Sequence, residues 1–178
     1  LREVRLANER LIEAGIDRNF LTVRLAPDAA WFADPALAQK AVERFAALGK
    51  FVTLAKLRGI AIDPCAQSRF YDCRWKENVG KGPTLDLAAE ARKLGRRIGL
   101  AVLRENDAAE ILLFAEEISY WSAPWVAFCE GLLESMDSPN ETAPQKSFHL
   151  LTKDSFDETS LPRLRLLDIR NRRLLELL

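Results

Sequence analysis

The chain has 178 residues, of which 48% are hydrophobic and 29% charged. That is enough for one domain with its own core and ordinary for a globular protein. The 26 basic residues balance the 26 acidic ones, so there is no basic excess of the kind nucleic acid or a polybasic membrane anchor requires.

No apolar run approaches the roughly 18–20 residues that span a bilayer, and no signal peptide is visible. The compartment is left unknown. The chain begins at Leu1 and its only methionine is Met136, which leads us to expect a processed or truncated polypeptide.

Residues 1–14 form an imperfect apolar stripe of Val4, Leu6, Leu11 and Ile12 between charges, the pattern of an amphipathic helix stopped at Gly15. "NFLTVRLAP" follows and predicts a strand over 20–25, ended by Pro27. Asp34-Pro35 then opens a helix. The aspartate can accept from free backbone N–H groups, and proline fits the first helical position. Ala41, Val42, Phe45, Leu48, Phe51, Val52 and Ala55 continue it at helical spacing, with Gly49 as a weak point and Gly59 as its stop.

A strand over 60–63 ends in Asp63-Pro64. Beyond it lies a loop holding Cys65, Phe70, Tyr71, Cys73 and Trp75. Gly80-Lys81-Gly82 lacks the spacing and the context of a phosphate-binding loop and reads as a flexible turn. Thr84 is expected to cap a helix running to about Glu105, with Leu87, Ala91, Leu94, Ile98, Ala101 and Val102 facing inward. Residues 110–116 are the clearest buried strand. A helix over "SAPWVAFCEGLLESM", with Pro124 in its first turn, a strand over 148–151 and a leucine-rich basic helix over 160–178 complete the chain.

Strands separated by long helices are not hairpins; they imply right-handed crossovers and parallel pairing. The expected fold is therefore α/β: a parallel sheet with alternating helices, either an open sheet or a partial (β/α) barrel, in a single domain over 1–178. No internal repeat and no shift of composition marks a second domain.

In such folds, ligands gather at the strand carboxyl ends. Arg24, Asp63, Glu116 and Glu117 fall at or just beyond those ends. Trp31, Phe32, Phe70, Tyr71, Trp75, Tyr120, Trp121 and Trp125 lie in the segments that leave them. Carboxylates, a guanidinium and aromatic rings suit a polar ligand with apolar faces, such as a sugar. The same rings are equally at home as packing at sheet–helix junctions; Trp125, which shares a helix with Val126, Phe128 and Leu132, reads as core. Asp63 alternatively caps the turn before Pro64, and Arg24 simply pairs with a carboxylate.

Two carboxylates flanking a sugar would allow hydrolysis, and Asp63 with Glu116 or Glu117 is the pair on successive strand ends. Arg24, Trp31, Tyr71, Trp75 and Trp121 are the candidate substrate-binding residues. A second reading keeps the same face as a binding module without turnover. In a third, the chain is an interaction protein that self-associates through residues 160–178, against packing of that helix on its own sheet. The three cysteines, Cys65, Cys73 and Cys129, are too few and too odd in number for a disulfide framework. Cys65 and Cys73 can pair across their loop only in an oxidising compartment. One histidine, His149, and no Cys-x-x-Cys spacing leave no metal site to expect, and no cofactor is expected.

"WFADPALAQKAVERFAALGKFVTLAKLRGIAIDP" resembles a stretch of an uncharacterised bacterial family of glycoside-hydrolase-like TIM barrels. "EARKLGRRIGLAVLRENDAAEILLF" is similar to that family's next helix, with its Arg-x-x-Gly-Arg motif, and to the strand after it. "WVAFCEGLLESM" is similar to the following helix, with its Phe-x-x-Gly-Leu-Leu core. The resemblance covers about residues 20–136. It implies a barrel fold and carbohydrate chemistry, with Asp63 matching the motif aspartate. Cys65 stands where the motif has glutamate, and a thiol does not replace a carboxylic acid as proton donor to a glycosidic oxygen. The resemblance therefore implies a truncated or degenerate member that binds rather than hydrolyses.

Overall fold

A computed structural model describes residues 1–25, 31, 34–64, 86–115, 123–136 and 148–152. In chain order these form α1 (Arg2–Glu13), β1 (Phe20–Leu25), α2 (Pro35–Leu54), β2 (Gly59–Pro64), α3 (Leu87–Glu105), β3 (Glu110–Ala115), α4 (Ala123–Met136) and β4 (Phe148–Thr152). The four strands make one sheet in the order β1-β2-β3-β4, and every pair is parallel. Among the described strands the sheet is not closed into a barrel. The expected α/β architecture of an open or partial parallel sheet is what the chain adopts.

The strand order explains where the core sits. When each strand is added beside the last, right-handed crossovers place all the connecting helices on one face. Accordingly α2 packs against α3, and α3 against α4. The sheet face turned to this layer is apolar. Leu21, Ile60 and Ile111 share one row of the register; Val23, Ile62 and Leu113 share another. They join Phe45, Val52, Leu94, Ile98, Val102, Trp125, Phe128 and Leu132 in one cluster. Helix α3 contributes an unbroken inner stripe because Ala91, Leu94, Ile98 and Val102 recur at helical spacing, and all four are buried.

Helix ends follow local chemistry, with two departures from the sequence reading. Asp34 caps α2, its Oδ1 accepting from the Ala36 N–H at 2.8 Å, with Pro35 at the first position. Helix α3 is capped by Asp86, whose Oδ1 accepts from the Ala89 N–H at 3.1 Å, not by Thr84, which lies outside the described residues. An aspartate side chain directly before the first turn reaches the free N–H groups; a residue two places earlier does not.

Nor is Gly59 the stop of α2. The helix ends at Leu54, and the chain reverses through Lys56 at φ 57°. Gly59 instead begins β2, where a Cβ would collide with the backbone of Glu110 on the neighbouring strand. Gly15 does end α1 as expected, at φ 83°, where glycine carries no steric penalty.

Gly49, Gly95 and Gly131 mark close approaches between helices. A Cβ at Gly95 would meet the Phe128 carbonyl, and one at Gly131 the Arg92 carbonyl, so α3 and α4 touch backbone to backbone. Gly49 faces Val102 in the same manner. The glycine that looked like a weak point in α2 is thus a packing requirement. Helix α1 is held differently. Asn8 is buried, and its Nδ2 donates to the Ala55 and Lys56 carbonyls at 3.1 and 2.6 Å, closing the carboxyl end of α2.

Candidate functional site

Because all four strands run the same way, their carboxyl ends share one edge of the sheet. Arg24 and Asp63 are register partners there. Both sit on the face opposite the helix layer, since Val23 and Ile62, their neighbours in sequence, point into the core. Arg24 Nε lies 3.5 Å from Asp63 Oδ2, an ion pair at the long end of hydrogen-bonding distance. The Arg24 side chain is 82% exposed and that of Asp63 is 36% exposed. An exposed pair of this kind contributes about 0–1 kcal/mol to stability. Little is therefore lost if either partner turns to a ligand.

The rest of this face is mixed. One register row down, Thr22 is exposed, Ala61 buried and Leu112 half-buried. Phe114, beyond Leu113 on β3, is half-buried. The guanidinium offers several N–H donors and the carboxylate accepts at both oxygens. Side by side, they can hold neighbouring hydroxyls of one ligand.

Trp31 is described and is half-buried against the core cluster. At least part of its indole therefore does packing. Trp125 is fully buried and stacks on Phe128 with ring centroids 5.4 Å apart, in keeping with its reading as core. Glu116, Glu117, Tyr71, Trp75 and Trp121 lie outside the described residues. So do Phe32, Phe70, Tyr120, Cys65, Cys73, the Gly80–Gly82 turn and the helix expected over 160–178. Of the candidate site residues, the described structure brings together Arg24 and Asp63.

A second arginine–carboxylate pair, not anticipated from the sequence, sits at the opposite, amino-end edge of the sheet, between the start of β2 and β3. Arg58 Nε donates to Glu110 Oε1 at 2.7 Å, and the Glu110 side chain is only 6% exposed. The hydrogen bond and charge of Glu110 raise the Arg58 pKa above its usual value. The pair is flanked by backbone bonds from Arg58 N–H to the Asn19 carbonyl and from Glu110 N–H to the Arg58 carbonyl. The pair ties the start of β2 to that of β3, and the Arg58–Asn19 backbone bond ties in the start of β1. No sequence signal pairs residues 52 positions apart; the register alone does so.

Cys129 is buried, and burial pushes its thiol pKa well above the ordinary value. It is held as a thiol and not as the reactive thiolate. Among the described residues no three histidine, cysteine or acidic side chains are grouped to hold a metal, and no helix is long and apolar enough to cross a membrane.

No family model matches the sequence, and neither a curated protein nor a solved structure matches it significantly. The class to which the chain can be assigned is thus its fold, an α/β protein with an open parallel sheet.

Proposed function

We propose that the protein is a carbohydrate-binding domain that uses the carboxyl ends of its parallel strands. The observation that carries this reading is the Arg24–Asp63 pair. Two partly exposed, oppositely charged groups stand on adjacent strand ends, loosely paired, where parallel α/β sheets receive their ligands. A sugar's vicinal hydroxyls can donate to the Asp63 carboxylate and accept from Arg24. Trp31, Tyr71, Trp75 and Trp121 are the rings proposed to cover its apolar faces, and the resemblance to glycoside-hydrolase-like barrels supports the same ligand class.

Binding is favoured over hydrolysis. Cleavage requires two carboxyl groups about 5–9.5 Å apart, and Asp63 needs Glu116 or Glu117 as its partner, while Cys65 takes the place of the motif glutamate. The test is a titration with a glycan panel, followed by tryptophan fluorescence and repeated with Asp63→Ala. A saturable change lost in the variant supports the reading. No change across the panel removes it, and turnover that survives Asp63→Ala moves the chemistry elsewhere.

A further inference from the structure

Among the described strands none pairs with the outer edge of β1, and the register fixes which of its main-chain groups point there. The Asn19 carbonyl accepts from the Arg58 N–H, so it points toward β2. The same peptide plane turns the Phe20 N–H the opposite way. By the alternation of an extended strand, Phe20, Thr22 and Arg24 carry their N–H and C=O groups on the side away from β2. None of these six groups has a partner among the described residues. At the other side of the sheet, β4 pairs with β3 alone among the described strands.

The apolar face continues up to this edge. Ile60, Ile62, Ile111 and Leu113 are 0–1% exposed, whereas Leu21 and Val23, in the same rows on β1, are only half-buried. The opposite face joins half-buried Leu112 and Phe114 to exposed Thr22 and Arg24. Parallel sheets are covered on both faces in nearly all folds. Helices α2 to α4 cover one.

We infer that a second copy of this chain completes the sheet, with β4 of each copy pairing in parallel with β1 of the other. A two-fold axis along the strands preserves strand direction, so the two outer edges of the described sheet are satisfied at once and the contact closes on itself. A single bound peptide would satisfy one edge and leave the other. Four strands from each copy make eight, the number at which a closed barrel is filled by its own side chains. The face carrying Arg24, Asp63, Leu112 and Phe114 then turns inward. With 26 positive and 26 negative side chains, two copies meet without net repulsion. This inference does not depend on the carbohydrate reading.

Light scattering on the eluting protein should give twice the mass of one chain at tens of micromolar, falling to one chain on dilution. Amide hydrogen exchange should show Phe20, Thr22 and Arg24 as slow as Leu21 and Val23 in the dimer, losing protection with dilution. Thr22→Pro removes one outward N–H and leaves the β1–β2 ladder intact; it should yield a folded monomer with fast exchange at Phe20 and Arg24. A wild-type monomer with fast exchange at those amides overturns the inference, as does a dimer that persists in Thr22→Pro. Species larger than two chains would show open-ended addition and overturn the closure. If the variant does not fold, exchange in the wild-type protein decides alone.

Discussion

The two ends of one sheet carry the same pair of chemical groups to different effect. At the amino ends, Arg58 and Glu110 meet at 2.7 Å with the carboxylate sealed from water. At the carboxyl ends, Arg24 and Asp63 stand 3.5 Å apart, with the guanidinium largely in solvent. Around the first pair, Gly59 lies against the Glu110 backbone and Asn8 closes the end of α2. Around the second, no described strand pairs with the outer edge of β1. An arginine beside a carboxylate therefore has no role that can be read before its burial and backbone support are known. One pair is a fastening; the other has its hydrogen-bonding capacity to spare.

The amino end is most vulnerable at Gly59, which lies against the Glu110 backbone. In Gly59→Val the added carbons must displace the Glu110 backbone, separating β2 from β3. Chemical denaturation should show a loss of about 3 kcal/mol or more, the range of severe overpacking and broken backbone support. A change below about 1 kcal/mol would mean that the amino end is not tightly packed.

A smaller effect is expected from Arg58→Ala, which leaves the buried Glu110 carboxylate without its guanidinium. About 1–2 kcal/mol should be lost, less than for a wholly buried pair because Arg58 is itself half-exposed. Added salt should leave that difference nearly unchanged, since buried pairs are little screened.

Smallest is Arg24→Ala, expected to alter the unfolding free energy by no more than about 0.5 kcal/mol. If Arg24→Ala proved as costly as Arg58→Ala, the two ends would be equivalent and the carboxyl-end pair would be structural.

Much of the architecture was legible because it rests on local pattern. Short apolar runs marked the strands, helical spacing marked α2 and α3, and Asp34-Pro35 marked a helix start that the side chain does cap. What escaped depends on partners distant in sequence. Gly59 reads as a helix stop until Glu110 is placed beside it, and Gly49 reads as a flaw until Val102 faces it. The Arg-x-x-Gly-Arg and Phe-x-x-Gly-Leu-Leu segments that suggested a family meet in space: Gly95 packs on the Phe128 carbonyl and Gly131 on that of Arg92. Arg92 also pairs with Glu130 and Glu134 on α4, so those motifs have a packing role in this chain whatever its ligand. Of the site, the Arg24–Asp63 juxtaposition was legible only as two strand ends. Their meeting required the register, while Glu116, Glu117, Tyr71, Trp75 and Trp121 lie outside the described residues.

The strand order has a consequence for how the molecule assembles in time. Each strand pairs with the one made just before it, Phe20 with Gly59, Gly59 with Glu110, and Ile111 with Phe148. Among the described strands, none must be slotted between two already paired. Loop closure is met in similar instalments instead of one long search. During synthesis, β1, α2 and β2 can form a nucleus on which α3 with β3, and then α4 with β4, are laid in turn. At every stage the growing side of the sheet is a raw parallel edge, and among the described strands none closes the β1 side.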